Sequence, residues 1–120
     1  MEQVIKVRSK DTEVLYCLNR SSAAQSLYHQ LPLRLKIEDY SHDEKIFYPK
    51  KLSIGNTAKA NARKGTLAYY EPWGNVVLFY KDFGMAAGLY ELGIVLEGER
   101  EIESLRGMVS IEVVKMEERQ

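Results

Sequence analysis

The chain has 120 residues, 45% hydrophobic and 28% charged, with 17 Lys plus Arg balanced by 17 Asp plus Glu. That length suits one domain (residues 1–120) with its own core, and the hydrophobic share excludes a disordered chain. Zero formal net charge removes the bulk electrostatic case for a nucleic-acid or anionic-membrane partner, and the single Cys17 excludes an internal disulfide and a thiolate metal cluster.

Residues 3–8 alternate, with Ile5 and Val7 on one face and Lys6 and Arg8 on the other. A polar cluster at 9–12 reads as a turn, and Val14, Tyr16 and Leu18 resume the alternation, which predicts a hairpin. Cys17 lies in this run and reads as a small buried hydrophobe. The period then changes: Ala23, Ala24, Leu27, Tyr28 and Leu31 form a helical stripe. Ser22 and Gln25 suit a capping box at its start, and Pro32 ends it because it lacks an N–H and disfavours helical geometry in Leu31.

Leu33, Leu35 and Ile37 alternate with Arg34, Lys36 and Glu38 as a half-exposed strand. Residues 40–45 are polar, and 46–49 read as a short edge strand closed by Pro49. From 50 to 64 the pattern is weak, with a short strand near 52–54; a loop of that length is often functional or mobile. Gly65 opens the strongest β segment, residues 66–71, and Pro72-Trp73-Gly74 makes its turn. The continuous apolar run Val76-Val77-Leu78-Phe79-Tyr80 predicts a central strand covered on both faces.

Residues 83–88 form a glycine-bearing loop and 92–96 another strand. Residues 98–106 read as a short helix with Ile102 and Leu105 inward and Gly107 as its left-handed C′ residue. Val109, Ile111 and Val113 form the last strand before a charged tail at 115–120. Seven or eight short strands follow one another with only two short helices between them. This predicts a mainly β domain (α+β by count), antiparallel and closed into a barrel that leaves no exposed edges.

The block Gly65-Thr66-Leu67-Ala68-Tyr69-Tyr70-Glu71-Pro72-Trp73-Gly74-Asn75-Val76-Val77-Leu78-Phe79-Tyr80 resembles the small prokaryotic cyclophilin-like proteins. So does the order of a hairpin, a helix led by Ser21-Ser22-Ala23-Ala24, a Leu-rich strand and a later Leu92-Gly93-Ile94-Val95. The resemblance implies a closed eight-stranded barrel with two helices packed against its ends. True cyclophilins isomerise prolyl bonds with an arginine in a Phe-His-Arg run. The nearest run here is Phe47-Tyr48-Pro49-Lys50, and a lysine ammonium does not replace a planar guanidinium. Their Gln-Phe-Phe run has no counterpart in Leu78-Phe79-Tyr80 either, so the resemblance implies the fold without that activity.

No phosphate-binding glycine motif and no nucleophile elbow occurs, and no cofactor is expected. His42 with Asp39, Asp43 and Glu44 is a candidate acid–base or metal cluster, read first as a polar loop tip; His29 reads as a surface residue. Lys50, Lys51, Lys59, Arg63 and Lys64 read as a solvated basic loop, and the glutamates of 97–103 as a solvated face. The aromatic residues are more numerous than a small barrel needs inside, and strand alternation must turn some of them outward. The expectation is a non-enzymatic binder of a small molecule or peptide. Phe47, Tyr48, Tyr70, Trp73 and Tyr80 would supply apolar contact, and Asn75 or Arg63 would fix polarity. The alternatives are a residual prolyl isomerase or other enzyme, and a self-associating protein whose aromatics are buried in a homodimer rather than displayed by a monomer. With no leader or spanning segment, a cytoplasmic setting is expected.

Overall fold

Burial alternates along the first hairpin of the computed structural model, which describes residues 2–115. Strand β1 (Gln3–Ser9) points Ile5 and Val7 inward, and β2 (Thr12–Leu18) does the same with Val14, Tyr16 and Leu18. Six more strands follow: β3 (Leu33–Tyr40), β4 (Glu44–Phe47), β5 (Thr66–Tyr70), β6 (Asn75–Phe79), β7 (Leu89–Glu97) and β8 (Gly107–Val114). They close as β1-β2-β7-β5-β6-β4-β3-β8, with every pairing antiparallel. Closure gives each strand two partners, so no strand presents a free edge for its whole length.

The interior holds Ile5, Val7, Tyr16, Phe47, Leu67, Tyr69, Leu78, Val109 and Ile111, among others. Helix α1 (Ser22–Tyr28) adds Ala23, Ala24 and Leu27 to this core, and a 3₁₀ helix (Glu99–Ser104) adds Ile102 with the adjacent Leu105. Gly93 lets β7 lie close to β2: a Cβ there would meet the Cys17 carbonyl oxygen at 2.2 Å. The phenol of Tyr16 is fully buried without a partner among the described residues, and burial raises its pKa.

A second, smaller core lies outside the barrel wall. Ile46, Ala68, Val77 and Phe79 face outward from β4, β5 and β6 and are covered by Ala60, Ala62, Leu89 and Ala86. The weakly patterned segment 50–64 supplies part of this cover, Ala60 and Ala62. Its backbone is tied down where Ala60 N donates to Leu89 O at 2.9 Å and Ala62 N to Gly84 O at 2.8 Å. It is therefore a second layer over the wall, and residues 52–54 form no strand.

Several local expectations change. The N-cap of α1 is Ser21, whose hydroxyl accepts from Ala24 N; Ser22 bonds Asn56 instead, and Gln25 reaches Gln3, so no capping box forms. The strand near residues 46–49 is β4, shifted to start at Glu44, and it is interior to the sheet between β3 and β6. Cys17 is only partly buried, because Tyr16 and Leu18 take the inward positions and period two sends Cys17 out. The 98–106 helix is 3₁₀ and ends on an extended Leu105, so Gly107, at φ 71°, opens β8 instead of capping a helix. Of the charged tail, residues 116–120 lie outside the described residues.

Candidate functional site

The same alternation that fills the barrel builds a site on its outer wall. On β4, Lys45 and Phe47 face one way and Glu44 and Ile46 the other; on β6, Val76 and Leu78 fill the barrel while Asn75, Val77 and Phe79 face out. Register then fixes neighbours: Glu44 is opposite Phe79, Ile46 opposite Val77, and Tyr70 opposite Asn75. Three further segments build walls around this patch. Tyr40 comes from the end of β3, Trp73 from the β5–β6 turn, and Phe83 and Ala86 from the loop before β7. The result is a cleft of about 190 Å³.

The aromatic walls meet at steep angles. Tyr40 and Trp73 have ring centroids 5.3 Å apart at 88°, and Tyr70 and Trp73 are 5.7 Å apart at 73°. These are the edge-to-face arrangements that ring quadrupoles favour. Phe79 and Phe83 have ring centroids 5.1 Å apart. Trp73 is 51% exposed and Tyr40 44%, so the cleft opens to solvent between them.

Its floor carries two polar groups. Glu44 is 8% exposed and is the one charged residue in the lining. No donor and no cation among the described residues reaches its carboxyl group. Burial, and then the charge of Asp43, lift its pKa from 4.5 to about 7. Asn75 is 1% exposed; its Nδ2 donates to Tyr48 Oη at 3.4 Å and its Oδ1 has no partner among the described residues. Buried polar atoms are normally paired, which makes Asn75 Oδ1 unusual.

A larger groove, about 1040 Å³, lies at one mouth of the barrel, lined by Arg8, Arg34, Lys45, Asp39, Glu103 and Arg106 among others. Its buried polar side chains are already satisfied. Lys45 Nζ lies 2.7 Å from Asp39 Oδ1, and Ser9 Oγ accepts from Arg106 N. The smaller cleft, with orphaned groups at its floor, is the better candidate site.

Of the residues expected at a site, Tyr70, Trp73 and Asn75 line the cleft and Tyr48 stands beside it, bonded to Asn75. Phe47 does not reach it: at 1% exposure it belongs to the barrel interior, on the opposite face of β4 from Glu44. Tyr80 packs against the main core, outside the cleft lining; its phenol pKa is raised by burial and by Asp39, Glu103, Asp43 and Glu44. Arg63 is exposed and outside the lining; its backbone N–H bonds Thr66 Oγ1. His42 is exposed in the β3–β4 turn. Sequence reasoning missed Tyr40, Phe83 and above all Glu44, which was grouped with His42. The available signal was period two, since Glu44, Ile46 and Tyr48 alternate with the core residue Phe47.

A family model described as the cyclophilin-like family matches residues 7–114. The chain belongs to that family. The solution structure of a hypothetical protein of Archaeoglobus fulgidus, AF2241, is similar across 92% of this chain and 94% of that one, with a TM-score of 0.70 at 16% identity. At that identity the likeness concerns the fold. No match was found among curated proteins. The family assignment agrees with the closed eight-stranded barrel and its two helices, and the function of this cyclophilin-like protein has to be sought in its own cleft.

Proposed function

We propose that this cyclophilin-like barrel binds a small molecule or a peptide side chain by seating an apolar group in the outer-wall cleft. The observation that carries the reading is the pairing of aromatic walls (Tyr40, Tyr70, Trp73, Phe79, Phe83) with two polar features at the floor: the Glu44 carboxyl group, which no described donor or cation reaches, and Asn75 Oδ1, which has no partner among the described residues. Mostly apolar walls with a few convergent polar groups are the common design of ligand sites. At about 190 Å³ the cavity is smaller than the roughly 300 Å³ at which drug-sized sites begin, which suits one side chain or fragment.

Catalysis has less support. The lining contains no arginine, the group with which cyclophilins stabilise a twisted amide, and no lysine, histidine, serine or cysteine. A fragment set of small cyclic hydrocarbons, alcohols and amines, together with short peptides, tests the reading through Trp73 fluorescence and backbone amide shifts. Saturable changes confined to residues around 40, 44, 70–75 and 83–89 support it. No response to any member of the set overturns it. So does a dimer in sedimentation that already buries Trp73.

A further inference from the structure

The cleft's electrostatics are one-sided. Glu44 is its one charged residue, buried, without an ion-pair partner among the described residues and reached from the cavity. Nearby Lys45 is no counter-ion: alternation turns it to the other face of β4, where Asp39 holds it at 2.7 Å. Asn75 adds an acceptor, Oδ1, with no donor. The walls contribute in the same sense, because aromatic faces carry negative electrostatic potential and attract cations. Tyr40, Trp73 and Tyr70 meet at 88° and 73°, which makes a corner rather than a flat stack.

A carboxyl group lacking a cation, an acceptor lacking a donor and a corner of aromatic rings together describe the negative image of an organic ammonium. We infer that the ligand of this cleft carries a primary or secondary ammonium group on an apolar stem, with its N–H groups directed at Glu44 and Asn75 and its carbon stem against Tyr70, Trp73 and Phe79. This rests on the cleft being a binding site, and it names the ligand class. A quaternary ammonium would meet the rings and lack the N–H donors that the floor calls for. The unliganded protein agrees: with only burial and Asp43 acting on it, the Glu44 carboxyl is held partly protonated near neutrality, a state that a bound cation reverses. A free amine and a lysine side chain of a peptide share this chemistry.

Matched probes of one shape separate the levels of the argument. Cyclohexylmethylamine, cyclohexylmethanol and cyclohexanecarboxylate are titrated into the full chain at constant ionic strength, with Trp73 fluorescence and amide shifts as readouts. An acetylated, amidated tripeptide with a central lysine forms a fourth arm. The ammonium is expected to bind about tenfold or more tighter than the alcohol, the equivalent of one charge-assisted hydrogen bond, and the carboxylate to bind least. Glu44→Gln, close in shape to the protonated side chain, is expected to abolish the preference while the alcohol still binds. The stronger arm between free amine and lysine peptide then assigns the source. Alcohol binding as tightly as ammonium overturns the ammonium inference and leaves the apolar cleft standing. Silence from all four probes, at cleft residues and at Trp73, removes both.

Discussion

Glu44 stands directly across the β4–β6 ladder from Phe79, so a carboxyl group and a phenyl ring share one outward face. Burial, and then the charge of Asp43, lift the Glu44 pKa from 4.5 to about 7. The folded protein therefore holds a proton that the unfolded chain has released throughout that interval. Stability must fall as pH rises from about 4.5 to about 7, and the penalty is fully present above the upper value. Its size is on the order of 3 kcal/mol, by conversion of the displacement. Glu44→Gln is expected to melt at least as high as the parent at pH 8 and to show a flatter profile between pH 5 and 7.5. Urea titrations across that range measure both.

Trp73 is half exposed and touches Tyr40 and Tyr70 through edge contacts. Trp73→Ala should cost no more than about 1 kcal/mol of stability, since edge-to-face pairs at exposed sites contribute little beyond area. Ligand affinity should fall much further, by an order of magnitude in Kd, read by amide shifts because the sole tryptophan is gone. A variant that binds as well as the parent places the site elsewhere.

Asn75 is 1% exposed yet makes a single long bond, to Tyr48 Oη. Replacing a poorly satisfied buried amide with an apolar group of similar shape is close to neutral or stabilising. Asn75→Leu is therefore expected to change stability by less than about 1 kcal/mol, because the exposed Tyr48 hydroxyl can turn to water. The same change should weaken ligand binding. Loss of both fold and binding would show instead that the amide is structural.

Gly93→Ala tests barrel closure. Its Cβ would lie 2.2 Å from the Cys17 carbonyl oxygen, and that obstacle is backbone. Overpacking costs of about 1–3 kcal/mol apply where neighbours can move, and here the β2–β7 seam must part. Thermal melting should show a loss at the upper end of that range or beyond, whereas Gly84→Ala, with open space around its Cβ position, should suffer only from its positive φ of 100°.

Much of the barrel was legible along the chain because it follows from alternation. Val14, Tyr16 and Leu18 announce an inward face, and five consecutive buried residues in β6 agree with the expected two-faced cover. The segment 50–64 was not legible. Its alanines Ala60 and Ala62 are too small to give a hydrophobic period, and their burial depends on hydrogen bonds to Leu89 and Gly84, distant in sequence. The site divides in the same way. Tyr70 and Trp73 were legible from the surplus of aromatic residues, and Asn75 as a polar group beside them. Tyr40, Glu44 and Phe83 join them only through the β3–β4–β6 pairings and the loop before β7.

The sequence by itself determined the strand periods, the helix positions and the surplus of aromatic residues, since these depend on near neighbours and on side-chain direction. The tertiary structure alone decided that Glu44 is buried without a counter-ion while Lys45, next to it in sequence, is paired. Adjacent residues of a strand face opposite sides, and what each side meets is set by register and closure between segments far apart in the chain.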